Sequence, residues 1–345
     1  MVVSFCLVGS LIAGWFVFRP GDPLFYGKPE SVWISEIKYG MSMSDDETKE
    51  QVERWKQFGP EGLQVLRRGL RNANPTATRV YRRIYRRISP KLPRIVLKML
   101  PAFPQDKGQG ARMCILDLLC RMSPHGDEAR DAVARALWDE HPHVRQTAIN
   151  FFIWGENDKS LINRLPEAEK EKLLPAFLNA VEDSRQNWGL RNNALMALRC
   201  YTNGTTAITP ALVNALQDPS PQVRIRAAEA LNRVNQDAAR KAGAVSFVVE
   251  ALKNPDDQIA YQAANALRRF ANEPQIAVPA LVGALKSTNT LVACEAVWAL
   301  QWSFQEHAEQ ILPAMREAAQ RKDNVGGYAK SAVSQLEKHS RRQKH

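Results

Sequence analysis

The sequence predicts an all-α protein: a right-handed α-solenoid of about eight helix pairs behind an N-terminal transmembrane helix. Three observations predict it. Residues 209–234, TPALVNALQDPSPQVRIRAAEALNRV, return in altered form at 245–270, VSFVVEALKNPDDQIAYQAANALRRF, and at 278–303, VPALVGALKSTNTLVACEAVWALQWS. The dipeptide Ala-Leu recurs at 197–198, 230–231, 266–267 and 299–300, at spacings of 33, 36 and 33 residues. A fixed period near 35 residues marks an array of stacked helical pairs. The third observation is an opening run of 17 uncharged residues, Val2–Phe18.

Each repeat reads as two helices. Leu212, Ala215 and Leu216 in one unit, and Leu281, Ala284 and Leu285 in another, lie at helical spacing on a first helix. Asp218-Pro219 or Asn254-Pro255 then makes a short turn. A second helix follows with Val223, Ala227, Ala230 and Leu231 on one side. Small alanines let neighbouring helices approach. Neither helix buries its apolar side alone, so the units must stack. Counting in this way places first helices near residues 60, 92, 127, 168, 207, 241, 275 and 307. Ahead of them, KPESVWISEIKYG and DDETKEQVERWKQF read as two short capping helices, the second opened by Ser44-Asp45-Asp46-Glu47.

The stretch LQDPSPQVRIRAAEAL resembles a HEAT repeat. Asp218, Val223 and Arg224 match the recurrent positions of that family, as do Asp139, Val144 and Arg145; Asp183 and Arg191 match loosely. The resemblance implies a ladder of Asp and Arg side chains between repeats, with a structural role. Ala260 and Ala293 stand where Arg is expected, so the ladder should break there. The resemblance is specific over residues 126–304 and weaker on either side. YGKPESVW between an apolar start and such an array also resembles uncharacterised bacterial HEAT proteins with an N-terminal anchor.

Residues 1–19 are expected to form the anchor or an uncleaved signal. A helix of that length rises roughly 26 Å, the short end of a membrane crossing, and Trp15 and Phe16 suit the interface. A basic start and a small-residue cleavage site, the marks of a cleaved signal peptide, are missing. The nearest basic residues, Arg19, Lys28 and Lys38, all follow the run, which leans towards a cytoplasmic location for the rest. Residues 20–58 are then a linker with capping helices, 59–338 the repeats, and 339–345 a basic disordered tail.

Net charge is +11, from 47 basic and 36 acidic residues. The excess is local: between Gly62 and Gln105 there are 11 Lys or Arg and no Asp or Glu. These are Arg67, Arg68, Arg71, Arg79, Arg82, Arg83, Arg86, Arg87, Lys91, Arg94 and Lys98. Wound as a helix, residues 79–88 place Val80, Tyr81, Ile84, Tyr85 and Ile88 on one side, expected to pack, and five arginines on the other. Such a tract favours an anion: an acidic protein segment, an anionic lipid surface or a nucleic acid. It is equally the solvated side of a helix if acids from residues 45–61 or from a neighbouring repeat fold over it.

No constellation names a reaction. The five cysteines lack ligand spacing and read as packing residues without disulfides; Cys114 and Cys120 share one helix. His141 and His143 flank Pro142 in a turn, a poor metal site without a third ligand. Asp117 in an apolar helix is similar to the buried carboxylate of HEAT-like DNA glycosylases, but Arg121 four residues on offers it an ion pair. No phosphate-binding glycine loop or hydrolase motif occurs, and no cofactor is expected. The stacked repeats, with their extended surface and no preorganised catalytic site, and the apolar start lead to the expectation of a non-enzymatic, membrane-anchored scaffold that binds a partner protein through its groove. The alternative is a nucleic-acid-binding protein, in the extreme case a glycosylase.

Overall fold

A computed structural model describes residues 22–38, 43–73, 80, 84, 85, 87–93, 108–122, 127–153, 160–182, 187–201 and 205–343. The apolar run Val2–Phe18 lies outside them. Among the described residues no helix is long and apolar enough to cross a membrane. The chain divides into two compact units, residues 1–133 and 134–345.

The first unit opens with a feature the sequence reading passed over. A two-residue hairpin, β1 (Leu24–Phe25) and β2 (Lys28–Pro29), turns through Tyr26 and Gly27 at φ 49° and 74°. Glycine adopts that left-handed conformation at no steric cost, whereas Tyr26 is held in it by ring contacts to Phe25 and Phe58. Helices α1 (Glu30–Ser35), α2 (Asp45–Gln57) and α3 (Gly59–Asn72) follow, and α4 (Gln109–Met122) packs on α2 and α3. Phe25, Trp33, Trp55 and Phe58 meet edge to face, and the Trp33 indole donates to the Phe25 carbonyl at 2.7 Å. The two expected capping helices are α1 and α2. Ser44 closes the start of α2 as a capping box: the Glu47 amide donates to Ser44 Oγ, and the Ser44 amide donates to Glu47 Oε2 at 2.9 Å.

Helix α5 (Asp127–Ala136) begins where the third pair was expected. The second unit then alternates. Second helices α6 (Pro142–Ile153), α8 (Trp188–Leu198), α10 (Pro221–Val234), α13 (Asp257–Leu267), α15 (Thr290–Ser303) and α17 (Asn324–Gln343) pack each on the next, forming one layer. The other layer holds α7 (Glu167–Glu182), α9 (Thr205–Ala215), α12 (Ala244–Ala251), α14 (Pro274–Ala284) and α16 (Ala308–Ala318). A short extra helix, α11 (Gln236–Lys241), capped by the Asn235 side chain, precedes α12. Pro175, Pro210, Pro279 and Pro313 interrupt four of the first helices, each removing one backbone donor. The expected basic tail is not loose at its start: α17 continues through residue 343.

The core lies between the layers. Val223, Ala227, Ala230 and Leu231 are fully buried, as are Leu212 and Leu281, while Ala284 is half-buried. The alanine columns of the second helices, Ala194 and Ala197, Ala227 and Ala230, Ala263 and Ala266, Ala296 and Ala299, are 0–1% exposed.

One rung of the ladder implied by the HEAT resemblance is present among the described residues, and Asp183 lies outside them. Arg191 on α8 reaches the next repeat and grips Asp218 with two parallel bonds, Nε to Oδ2 at 2.7 Å and Nη2 to Oδ1 at 2.8 Å, both side chains buried. Asp218 Oδ1 also accepts the Ser220 amide, and Arg224 donates to the Asp218 carbonyl at 2.9 Å. Arg145 treats the Asp139 carbonyl in the same way at 2.6 Å. At Ala260 and Ala293 other devices stand in: Asp256 and Asn289 cap α13 and α15, and Arg321 donates back to the carbonyls of Leu285 and Ser287, both at 2.9 Å.

Two outcomes follow for stability. Asp218→Ala leaves Arg191 buried without its carboxylate and should cost about 3–5 kcal/mol in urea unfolding, whereas Arg191→Met with Asp218→Ala should recover most of it. Ser44→Ala should cost about 1 kcal/mol. The Ser44 bonds hold the Glu47 carboxyl below its usual range, so this contribution is present above the unfolded carboxylate pKa and fades as pH falls through the folded one.

Candidate functional site

The basic tract is placed in part. Arg67, Arg68 and Arg71 lie on α3; Arg71 is exposed and Arg67 half-buried. Arg68 is committed inside the unit. Its Nε donates to both oxygens of Glu30 at 3.1 and 3.0 Å and its Nη2 to Oε1 at 2.5 Å, with the Glu30 side chain 7% exposed. That bond raises the Arg68 pKa against the opposing effect of burial. The acid that neutralises Arg68 comes from α1. Arg87 and Lys91 are exposed. Arg79, Arg82, Arg83, Arg86, Arg94 and Lys98 lie outside the described residues.

The apolar side of this segment departs from expectation. Val80, Ile84 and Ile88 are 47%, 50% and 38% exposed, while Tyr85 is half-buried. Four-residue spacing puts the three aliphatics in one stripe, one helical turn apart. An amphipathic pattern needs a facing surface to become core, and among the described residues this stripe is left open to solvent.

The remaining chemical candidates are occupied by packing. Asp117 accepts from Arg121 Nε at 3.1 Å, as the four-residue spacing implied. His143 is exposed and its ring faces the Asn187 amide at 3.5 Å. Among the described residues no group of three His, Cys, Asp or Glu could hold a metal. Cys114, Cys120, Cys200 and Cys294 are free thiols. Burial pushes the Cys120 thiol up to about 12, so it stays protonated.

The second-helix layer of residues 134–345 carries a polar row that no motif announced. Asn193 on α8 donates to Asn150 on α6 at 2.6 Å, and Asn265 on α13 donates to Glu295 on α15 at 3.0 Å. The register of the second pair is set by the repeat: Asn265 stands one residue before its Ala-Leu dipeptide and Glu295 four before the next; Asn193 occupies the latter column three repeats earlier. Gln301 donates to Gln335 on α17 at 2.7 Å. Between these pairs lies a charged group. Glu229 on α10, 2% exposed, accepts from Arg226 at 2.5 Å and from Arg269, just after α13, at 2.8 Å. Arg226 Nε also contacts Asn192 Oδ1, and Arg269 Nη1 contacts Asn265 Oδ1, both at 3.4 Å. Arg199, at the end of α8, is half-buried; burial lowers its pKa, Arg269 and Arg226 lower it further, and Glu229 opposes them. Aligning repeats on Ala-Leu also puts Arg233, Arg269 and Trp302 in one column, and Trp302 is 61% exposed. Column-by-column alignment was the sequence signal that could have found this row.

A family model described as HEAT repeats matches residues 165–243 and 244–336. No curated protein matches the chain. Among solved structures, YibA of Escherichia coli is similar at 17% identity over 93% of this chain and 99% of its own, with a TM-score of 0.45. The archaeal HEAT-like repeats protein of Thermococcus onnurineus NA1 is similar at 14% identity over 65% of this chain and 93% of its own, with a TM-score of 0.40. A computationally designed armadillo repeat protein for modular peptide recognition is similar at 20% identity over 59% of this chain and 98% of its own, also at 0.40. With its repeated helix pairs, its Asp218–Arg191 rung between repeats and the matched family model, this chain is a HEAT-repeat protein.

Proposed function

We propose that the chain is a non-enzymatic scaffold that holds a partner protein along the second-helix layer of residues 134–345. The observation that carries this reading is the polar row just described. Its side chains are already ordered by one another from helix to helix, so docking costs little further side-chain entropy. Stacked repeats also supply a surface that grows with each unit and suits an extended ligand. Its test uses a random peptide library panned on the whole chain. Enriched peptides should lose about tenfold in affinity when Arg233 and Trp302 are both changed to Ser, as a rim charge and an aromatic anchor are removed, and keep it when the exposed Lys253 is changed to Ser. Peptides indifferent to the double change would place docking elsewhere.

The basic tract supports a second contact. Exposed Val80, Ile84 and Ile88 beside exposed Arg87 and Lys91 give an apolar stripe flanked by positive charge. Anionic lipid suits that combination better than nucleic acid, which has no use for the aliphatic stripe. An acidic partner segment remains the other ligand of the full set from Arg67 to Lys98. On this reading residues 1–19 anchor the chain and the tract lies against the same membrane, on the cytoplasmic side by the positive-inside lean of Arg19, Lys28 and Lys38. With residues 1–19 removed, binding to phosphatidylserine vesicles should weaken with salt. Arg87→Ser with Lys91→Ser should reduce it by about 2 kcal/mol, at about 1 kcal/mol for each basic residue near the surface. Equal binding by the variant, or stronger capture by duplex DNA, would remove the lipid reading.

A further inference from the structure

We infer that Arg199, Arg226 and Arg269 form a docking site for an extended acidic peptide segment of a partner protein, whose carboxylates they bind. The inference deepens the scaffold reading and rests on it, and it concerns a site outside the basic tract. Arg226 and Arg269 bond the buried Glu229 carboxylate, and Arg199 lies near enough for the charges of all three to act on it, so the group carries two positive charges in excess. Arg226 and Arg269 share that carboxylate. Among the described residues the Arg199 guanidinium makes no hydrogen bond or ion pair, although the residue is half-buried. A partly desolvated guanidinium without an acceptor beside two like charges is a cost to the fold. Its place at the end of α8 gives it the helix dipole, but the dipole supplies no partner for its five donors and does not require the other two arginines.

The neighbours decide which anion fits. The site already seats a carboxylate, that of Glu229, between two guanidiniums. Glu229 and Glu295 are both buried on the same layer, and a nucleic-acid backbone, charged at every phosphate, would run over both. A peptide carries charge only where its sequence puts it. Asn192 and Asn265 touch the arginines through their carbonyl oxygens. Asn265 spends one amide hydrogen on Glu295 and keeps its second for a peptide carbonyl. Trp302 stands one repeat beyond Arg269 in the same column and is 61% exposed, a seat for an apolar side chain. Neighbouring helices pack about 8–10 Å apart and an extended chain rises about 3.3 Å per residue, so each repeat spans about three residues. Arg199 to Trp302 crosses three repeats. The matching segment is about nine residues long, acidic over its first six and apolar at its end.

The test uses the whole chain and a fluorescein-labelled nine-residue peptide, with glutamates among its first six positions and a leucine at the ninth. The reversed sequence and a glutamine-for-glutamate analogue serve beside it. Fluorescence anisotropy should show one orientation of the glutamate peptide binding at least about tenfold tighter than the glutamine analogue, with affinity falling as salt rises. Arg199→Gln should weaken that peptide about tenfold while leaving the melting temperature unchanged or raised, because it removes a repelled charge whose guanidinium has no bonded partner among the described residues. Arg199→Lys should keep part of the affinity. A lower melting temperature in Arg199→Gln would make the residue structural and overturn the proposal. So would equal binding of glutamate and glutamine peptides, or displacement of the peptide by duplex DNA. If library peptides depend on Arg233 and Trp302 but not on Arg199, this site is wrong and the scaffold reading stands.

Discussion

Everything in the second unit depends on how closely the second helices approach. Four of them, α8, α10, α13 and α15, carry an alanine pair at the contact, from Ala194 and Ala197 to Ala296 and Ala299, and these are essentially without exposure. Side chains this small bring the helix surfaces together, and the leucine of each Ala-Leu pair fills the space between layers. A single helix pair has no core of its own; the core exists only between repeats. The close approach also fixes the polar side. Residues on opposite edges of the alanine column come within hydrogen-bond reach of the next helix, which is how Asn265 meets Glu295.

The Arg191–Asp218 pair answers a different need. Turns between first and second helices must enter the stack at a set angle, and their backbone groups must be satisfied. Asp218 does both: it accepts the Ser220 amide in its own turn and two bonds from Arg191 of the preceding repeat. A buried ion pair adds little net energy over a well-packed apolar pair but is costly to break singly. Its value lies in register. Where the arginine is absent, at Ala260 and Ala293, the turns are closed by Asp256 and Asn289 acting as helix caps, and register between those repeats rests on packing and on Arg321 reaching back.

The repeat architecture was legible because it is periodic. First helices expected near residues 60, 127, 168, 207, 275 and 307 begin at 59, 127, 167, 205, 274 and 308. The start expected near 241 falls instead on the end of the short α11, with α12 beginning at Ala244, because an inserted turn has no periodic signature. The hairpin at residues 24–29 was missed for a similar reason. Tyr-Gly is a weak signal for a turn that prefers Asn-Gly, and what holds Tyr26 at positive φ is the ring cluster, which sequence spacing does not display. The site was less legible than the fold. Counting charge along the chain finds residues 67–98 at once, but it cannot see that Glu30, 38 residues upstream of Arg68, neutralises part of that tract. Nor can it see the Arg199 cluster, whose members lie in three different repeats and in a stretch of balanced charge.

The two basic regions therefore differ in kind. In residues 67–98 the positive charge is dense in sequence, and among the residues placed it is either exposed, as at Arg71, Arg87 and Lys91, or already held, as at Arg68. Exposed charge at a helix surface is soft: it moves, it is screened by salt, and it suits a diffuse anionic surface. In the second unit the charge is sparse in sequence and dense in space, fixed by Glu229 below and by packed helices on both sides. Fixed, partly desolvated donors bind a defined group at a defined point, because they lose little freedom when it arrives. The two regions come about by different means: charge crowded along one segment in the first unit, and charge gathered across repeats by the alanine-set spacing in the second.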